Sequence, residues 1–304
     1  MSLPNLSYLK NQTRKNKFGP IWYIIPSAIV VAGVIGYPVI HAVILSFYNY
    51  NPLSSSLTFV GIANYVNIFG DSVFHQAILH SVIWTLGVVF FQLIFGLIGA
   101  VILNQSFKGR SVVRGLVLIP WATPSVLAAL IWMWILDDNY GVLNHLLTQV
   151  GLSSLAQAWF SQSVTALPSL MLIDLWQGIP FFAVMLLAAM QSISGDLVEA
   201  AKLDGANAFR TFWSIKFPII LPTVLITTML RIIWTASYAD LILIVTQGGP
   251  GYASLTIPAD AYFTAYSDLN YGGATAMAVV QAVVLFIVVI WYLRLISKQG
   301  ILEQ

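Results

Sequence analysis

"VEAAKLDGANAFRTFWSIKFP", Val198–Pro218, carries two carboxylates (Glu199, Asp204) and three bases (Lys202, Arg210, Lys216) around Gly205. The chain on either side is of another kind. Of its 304 residues, 59% are hydrophobic and 8% charged, against about 25% charged in soluble domains, which places it in the membrane class. There is no cysteine, so disulfides, thiolate metal sites and cysteine nucleophiles are excluded. His41, His75, His80 and His145 stand singly, so no metal site is expected.

Outward from this stretch, six segments have the roughly 20 mostly apolar residues that a bilayer crossing needs: 21–48, 77–103, 112–136, 164–190, 217–245 and 274–296. Prolines at Pro26, Pro38, Pro120, Pro124 and Pro180 fall inside them, as spanning helices allow when neighbours satisfy the freed carbonyls. The first apolar run is too long for a signal-peptide core and reads as an uncleaved anchor. The expected fold is an all-α polytopic membrane protein, with a transmembrane domain over 21–296, short tails at 1–20 and 297–304, and a polar loop over 191–216.

Basic residues set the orientation. Lys10, Arg14, Lys15 and Lys17 precede the first span; Lys108, Arg110 and Arg114 follow the second. Lys202, Arg210 and Lys216 follow the fourth, and Arg294 and Lys298 end the chain. The alternate loops 49–76, 137–163 and 246–273 have no Lys or Arg but carry Asp71, Asp137, Asp138, Asp260 and Asp268. Both termini and the Val198–Pro218 stretch are therefore expected on the cytoplasmic side.

Asp196 followed by Glu199 has capping-box spacing at a helix start. Ala200, Ala201, Lys202 and Leu203 continue the helix, Gly205 ends it, and a second piece starts near Asn207 with Phe209, Phe212 and Trp213. Two short pieces joined at a glycine make a compact knob, and Ala-Ala-x-x-x-Gly leaves one side open to another protein's backbone. The competing reading is a helix pair lying on lipid headgroups, although Asp196, Glu199 and Asp204 oppose an anionic surface.

At these residues the sequence resembles the permease subunits of binding-protein-dependent ABC importers. Their cytoplasmic signature reads E-A-A, three residues, G, nine residues, I-x-L-P. Glu199, Ala200, Ala201, Gly205, Ile215 and Pro218 fit it, with Phe217 in place of the leucine. "ISGDLVEAAKLDGA" and "TQGGPGYASLTIPADAYFTAY" (Thr246–Tyr266) are similar to the carbohydrate branch, of maltose and glycerol-phosphate type. The resemblance implies a coupling helix docked on an ATPase subunit, with ATP and magnesium held there and no cofactor in this chain. Implied partners are two ATPase subunits, a second and usually different homologous permease, and an extracytoplasmic solute-binding protein, in a bacterial or archaeal cytoplasmic membrane; no nucleic acid is expected. The nearest approach to a phosphate loop, "SFKGRS" at Ser106–Ser111, lacks the glycine spacing and the Gly-Lys order.

Away from the ends of the spans, three Asp or Arg residues lie within them: Asp174, Arg231 and Asp240. Each costs ~2.5–3.5 kcal/mol on insertion scales and therefore faces protein or a cavity. Nine residues of continuous helix put Arg231 and Asp240 on opposite faces. At 1.5 Å per residue Asp174 and Arg231 lie about 15 and about 21 Å below the acidic end of their spans, a gap an arginine can bridge. Two readings stay open: an interhelical ion pair, or a sugar path built from Asp174, Gln177, Arg231, Trp234 and Tyr238. Gly96, Gly99 and Ala100 suit close helix contact, and Gly248, Gly249, Pro250 and Gly251 form a turn-rich loop that either touches a binding protein or simply connects.

The expected function is the permease of an ATP-driven sugar importer, with no enzymatic activity of its own. The alternative is a self-contained ion-coupled transporter using Asp174, but residues 1–150 and 151–304 show no repeat of the kind such proteins often carry. An intramembrane enzyme lacks a His-x-x-x-His or Glu-x-x-His motif to support it.

Overall fold

The computed structural model describes residues 19–54 and 56–298. Residues 1–18, with Lys10, Arg14, Lys15 and Lys17, and residues 299–304 lie outside the described part. The first apolar run forms α1 (Gly19–Val31) and α2 (Tyr37–Leu45), joined through a π-helical turn at Ala32–Gly36. It was expected to run to Tyr48. Instead the helix stops at Leu45, and Tyr48 opens a hairpin of β1 (Tyr48–Asn51) and β2 (Ser56–Phe59), with Tyr48 opposite Phe59. A short α3 (Ala63–Gly70) leads into α4 (Ser72–Leu103), which starts five residues before Ala77 because the Asp71 carboxylate caps it, accepting from the Val73 amide at 2.9 Å.

The third apolar segment, expected as one helix over 112–136, is broken. It comprises α5 (Arg110–Val117), α6 (Ile119–Ala122) and α7 (Ser125–Ile135), with a 95° bend between α6 and α7. Pro124 forces the residue before it out of the helical region, and Thr123 sits extended at φ −75°, ψ 123°. Next come α8 (Val142–Gln149) and α9 (Ala166–Gln191), followed by α10 (Gly195–Leu203), α11 (Ala208–Thr211) and a π-helical turn at Phe212–Lys216. The fifth segment is also interrupted, as α12 (Phe217–Ala236) and α13 (Asp240–Val245). The chain closes with α14 (Ile257–Tyr266) and α15 (Tyr271–Lys298). Five helices are long and apolar enough to cross a membrane, and six spans result if the bent α6–α7 pair counts as one.

The interruption at Ser237–Ala239 contains neither proline nor glycine. It persists because its freed carbonyls find donors on other helices: Trp84 Nε1 donates to Thr235 O at 3.0 Å, and Gln281 Nε2 to Ala236 O at 2.7 Å. A buried carbonyl stripped of its donor costs about 1–3 kcal/mol. Gln281→Leu should therefore lower the thermal midpoint of the purified protein, whereas Gln281→Asn, which keeps the amide on a shorter stem, should lower it less.

α9 is the central helix, its face from Leu167 to Met190 buried against α4 and α12. Glycines set the α4–α9 distance. A Cβ on Gly96 would run into Phe182 Cβ and stand 3.2 Å from Ala183 N and Ile179 O, and one on Gly99 would stand 3.3 Å from Ala183 Cβ. This is the close contact expected of Gly96, Gly99 and Ala100. The segment Trp22–Leu45, by contrast, buries none of its most apolar window, so its surface is left for lipid or another chain.

The Lys- and Arg-free loops are folded. Asn64 Nδ2 donates to Ser46 O and Tyr48 O, both at 2.9 Å, tying α3 to the hairpin. The glycine-rich turn is closed by Ser254 Oγ donating to Gly249 O at 2.6 Å and anchored to α4, with Ser81 Oγ accepting from Ile257 N at 2.8 Å.

On α14, Asp260 is buried, with Oδ2 lacking a hydrogen-bond partner among the described residues. Burial, helped by Asp71 and Asp268, raises its pKa to about 6. The folded chain thus holds this proton more tightly than the unfolded chain, and stability falls as pH rises from about 4 through 6. Asp260→Asn should melt higher than the parent at pH 7.5, with the advantage shrinking as pH falls through 6; a constant difference would rule this out.

Candidate functional site

Two places carry the polar chemistry. The first lies where α9 and α12 cross. Asp174 and Gln177, three apart, share one face of α9; Arg231, Trp234 and Thr235 share one face of α12. Arg231 Nη2 donates to Asp174 Oδ1 at 3.2 Å, the one ion pair among the described residues, with both side chains at most 10% exposed. Gln92 of α4 completes the cluster. Its Oε1 accepts from Arg231 Nε at 2.9 Å, and its Nε2 donates to Asp174 O at 2.6 Å. Gly178 makes room, for a Cβ there would collide with the Gln92 amide and Arg231 Nη2.

Beside the cluster is a cavity of about 210 Å³. All five path candidates line it: Asp174, Gln177, Arg231, Trp234 and Tyr238. Trp121, Ser125 and Thr235, which sequence reasoning missed, line it too. Both helix interruptions border it. Gln177 Nε2 donates to the Thr123 carbonyl freed by Pro124 (2.8 Å), and Ser125 Oγ donates to Asp240 Oδ2 (3.1 Å). The geometry expected for Arg231 and Asp240 needs correcting, because α12 ends at Ala236 and Asp240 begins a new helix. Asp240 bonds to Ser125, and Tyr238 reaches the cavity from the interruption between α12 and α13. Gln92 was also missed; its only trace in the sequence is a lone amide amid "VVFFQLIFG".

The second place is the elbow over 191–216. The capping box expected from Asp196 and Glu199 is absent: Ser194 caps α10, its Oγ accepting from Asp196 N at 3.3 Å. The C-terminus closes as a Schellman motif, with Ala206 N donating to Ala201 O (2.9 Å) and Gly205 N to Lys202 O (3.0 Å), and with Gly205 at φ +79°. Asn207 caps α11, accepting from Arg210 N at 2.8 Å. Glu199, Ala200, Gly205 and Pro218 are exposed, Ala201 is buried, and Ile215 is half-buried. The motif therefore divides between Ala201 and Ile215, which pack inward, and the exposed Glu199, Ala200 and Gly205, which make up the elbow's outer face with Pro218 exposed just beyond it at the start of α12. That face also carries Leu203 (89% exposed) and Phe209 (74%), an apolar surface that a soluble loop would not leave uncovered.

Broken apolar helices around a small polar cavity, with a capped knob between two spans, define a membrane permease. The chain belongs to the binding-protein-dependent transport system inner membrane component family, which matches residues 92–299. It is a permease subunit of an ATP-binding-cassette importer and an inner-membrane protein. It is 33% identical over 285 residues to the trehalose/maltose transport system permease protein MalF of Thermococcus litoralis, covering 94% of this chain and 95% of that one. It is 34% identical over 276 residues to the sulfoquinovosyl glycerol transport system permease protein SmoG of Agrobacterium fabrum, covering 90% and 89%. Its fold matches a chain of a bacterial ABC transporter that imports the acidic polysaccharide alginate, with a TM-score of 0.81 at 22% identity, over 96% of this chain and 99% of the other.

Proposed function

We propose that this chain, paired with a different but homologous permease, forms the path for a saccharide delivered by an extracytoplasmic binding protein. Two ATPase subunits, holding ATP and magnesium, drive it through the elbow at 191–216, and both termini lie on the cytoplasmic side. The observation that carries the reading is the cavity itself, which sets aromatic faces (Trp121, Trp234, Tyr238) beside neutral polar groups (Ser125, Gln177, Thr235). Saccharides present that same mixture of C–H faces and hydroxyls. The saccharide permeases MalF and SmoG, alike over about nine-tenths of the chain, support the solute class. The distribution of Lys and Arg supports the orientation. An ion-coupled transporter working through Asp174 is disfavoured, because that carboxylate is already engaged by Arg231.

Proteoliposomes holding the complete importer and its binding protein test the reading. Saccharide uptake is expected to stop when ATP is replaced by a non-hydrolysable analogue and to survive ionophores that collapse proton and sodium gradients. The reverse pattern would overturn it.

A further inference from the structure

The charge arrangement around the cavity narrows the solute, an inference that rests on the saccharide reading above. Arg231 is the only base among the lining residues, and its charge is offset by the Asp174 carboxylate that Nη2 bonds, while Nε bonds Gln92. Gln177 Nε2 and Ser125 Oγ each donate one bond within the protein, to Thr123 O and to Asp240 Oδ2. Asp174 and Arg231 neutralise each other, leaving Asp240 as an exposed carboxylate one hydrogen bond from the lining. Farther along, the loops 49–76, 137–163 and 246–273 hold five aspartates and no Lys or Arg.

We infer that this cavity admits uncharged saccharides and rejects acidic ones such as uronates. A neutral saccharide can stack its ring on Trp121 or Trp234 and bond its hydroxyls to the polar lining. A carboxylate there meets no uncompensated cation, and Asp240, bonded to the lining Ser125, adds an unpaired negative charge beside it.

Trp121 and Trp234 serve as reporters. In the detergent-solubilised complex of both permeases and the ATPases, without the binding protein and its own selectivity, indole fluorescence is titrated with maltose and with digalacturonate. Maltose is expected to saturate the response, with digalacturonate at least tenfold weaker. Asp240→Lys, at an exposed position, should shift the ratio toward digalacturonate by tenfold or more. Equal or tighter binding of digalacturonate to the parent, or a ratio unmoved by Asp240→Lys, overturns the inference and leaves the saccharide reading standing. If neither sugar binds, both fall.

Discussion

Arg231→Met is expected to strip the transport domain of about 3–5 kcal/mol, the cost of leaving one member of a buried ion pair uncompensated. Asp174 is 4% exposed and sits in the middle of α9, where its carboxylate has Arg231 as its only charged neighbour within bonding distance. The single variant should give poor yield and a thermal midpoint lowered by many degrees. Adding Asp174→Asn removes the orphaned charge while keeping an amide of the same shape. The double variant should then recover to within about 1 kcal/mol of the parent, since a buried pair adds little net stability over neutral replacements. Equal damage in the single and double variants would show that the pair is not the unit that matters. Even a recovered double variant should transport poorly, because Gln92 and Gly178 are arranged around the guanidinium.

Gly205→Trp should abolish uptake while leaving membrane insertion and the helical fold intact. At φ +79° any L side chain is disfavoured, by about 1–2 kcal/mol, so strain must be separated from bulk. Asparagine tolerates the left-handed region best among non-glycine residues, and no atom of this chain lies within 4 Å of a Cβ built on Gly205. Gly205→Asn is thus expected to keep most of the uptake, and Gly205→Trp to lose it together with the bound ATPase. Comparable loss in both would mean that the glycine serves the turn and not a partner's approach.

The spans and the elbow were legible in the sequence because length and apolarity are local, additive signals. Gly205 as a helix terminator and Asn207 as a new start were legible for the same reason. The interruptions were not. Pro180 and Pro222 sit inside continuous helices while Pro124 breaks one, so proline alone does not decide. The break at Ser237–Ala239 is stabilised by Trp84 and Gln281 from helices distant in sequence, a tertiary effect. At the site, the ionisable members were found because charge in a membrane is costly. Gln92, Trp121 and Ser125 carry no such mark, and only packing brings them to the cavity. The cap on α10 was misassigned by two residues because Ser194 and Asp196 are both competent caps.

The central claim is that the elbow at 191–216 is the handle by which a separate ATPase moves the spans. The chain has no cysteine, so Leu203→Cys, at a position 89% exposed on the elbow's outer face, gives a unique thiol. With a short bifunctional reagent in native membranes, it is expected to cross-link to the ATPase subunit, in a yield that changes when ATP is bound. A thiol that forms no such link, and whose attached spin label is instead relaxed by lipid-soluble oxygen, would place the elbow on the bilayer and contradict the account.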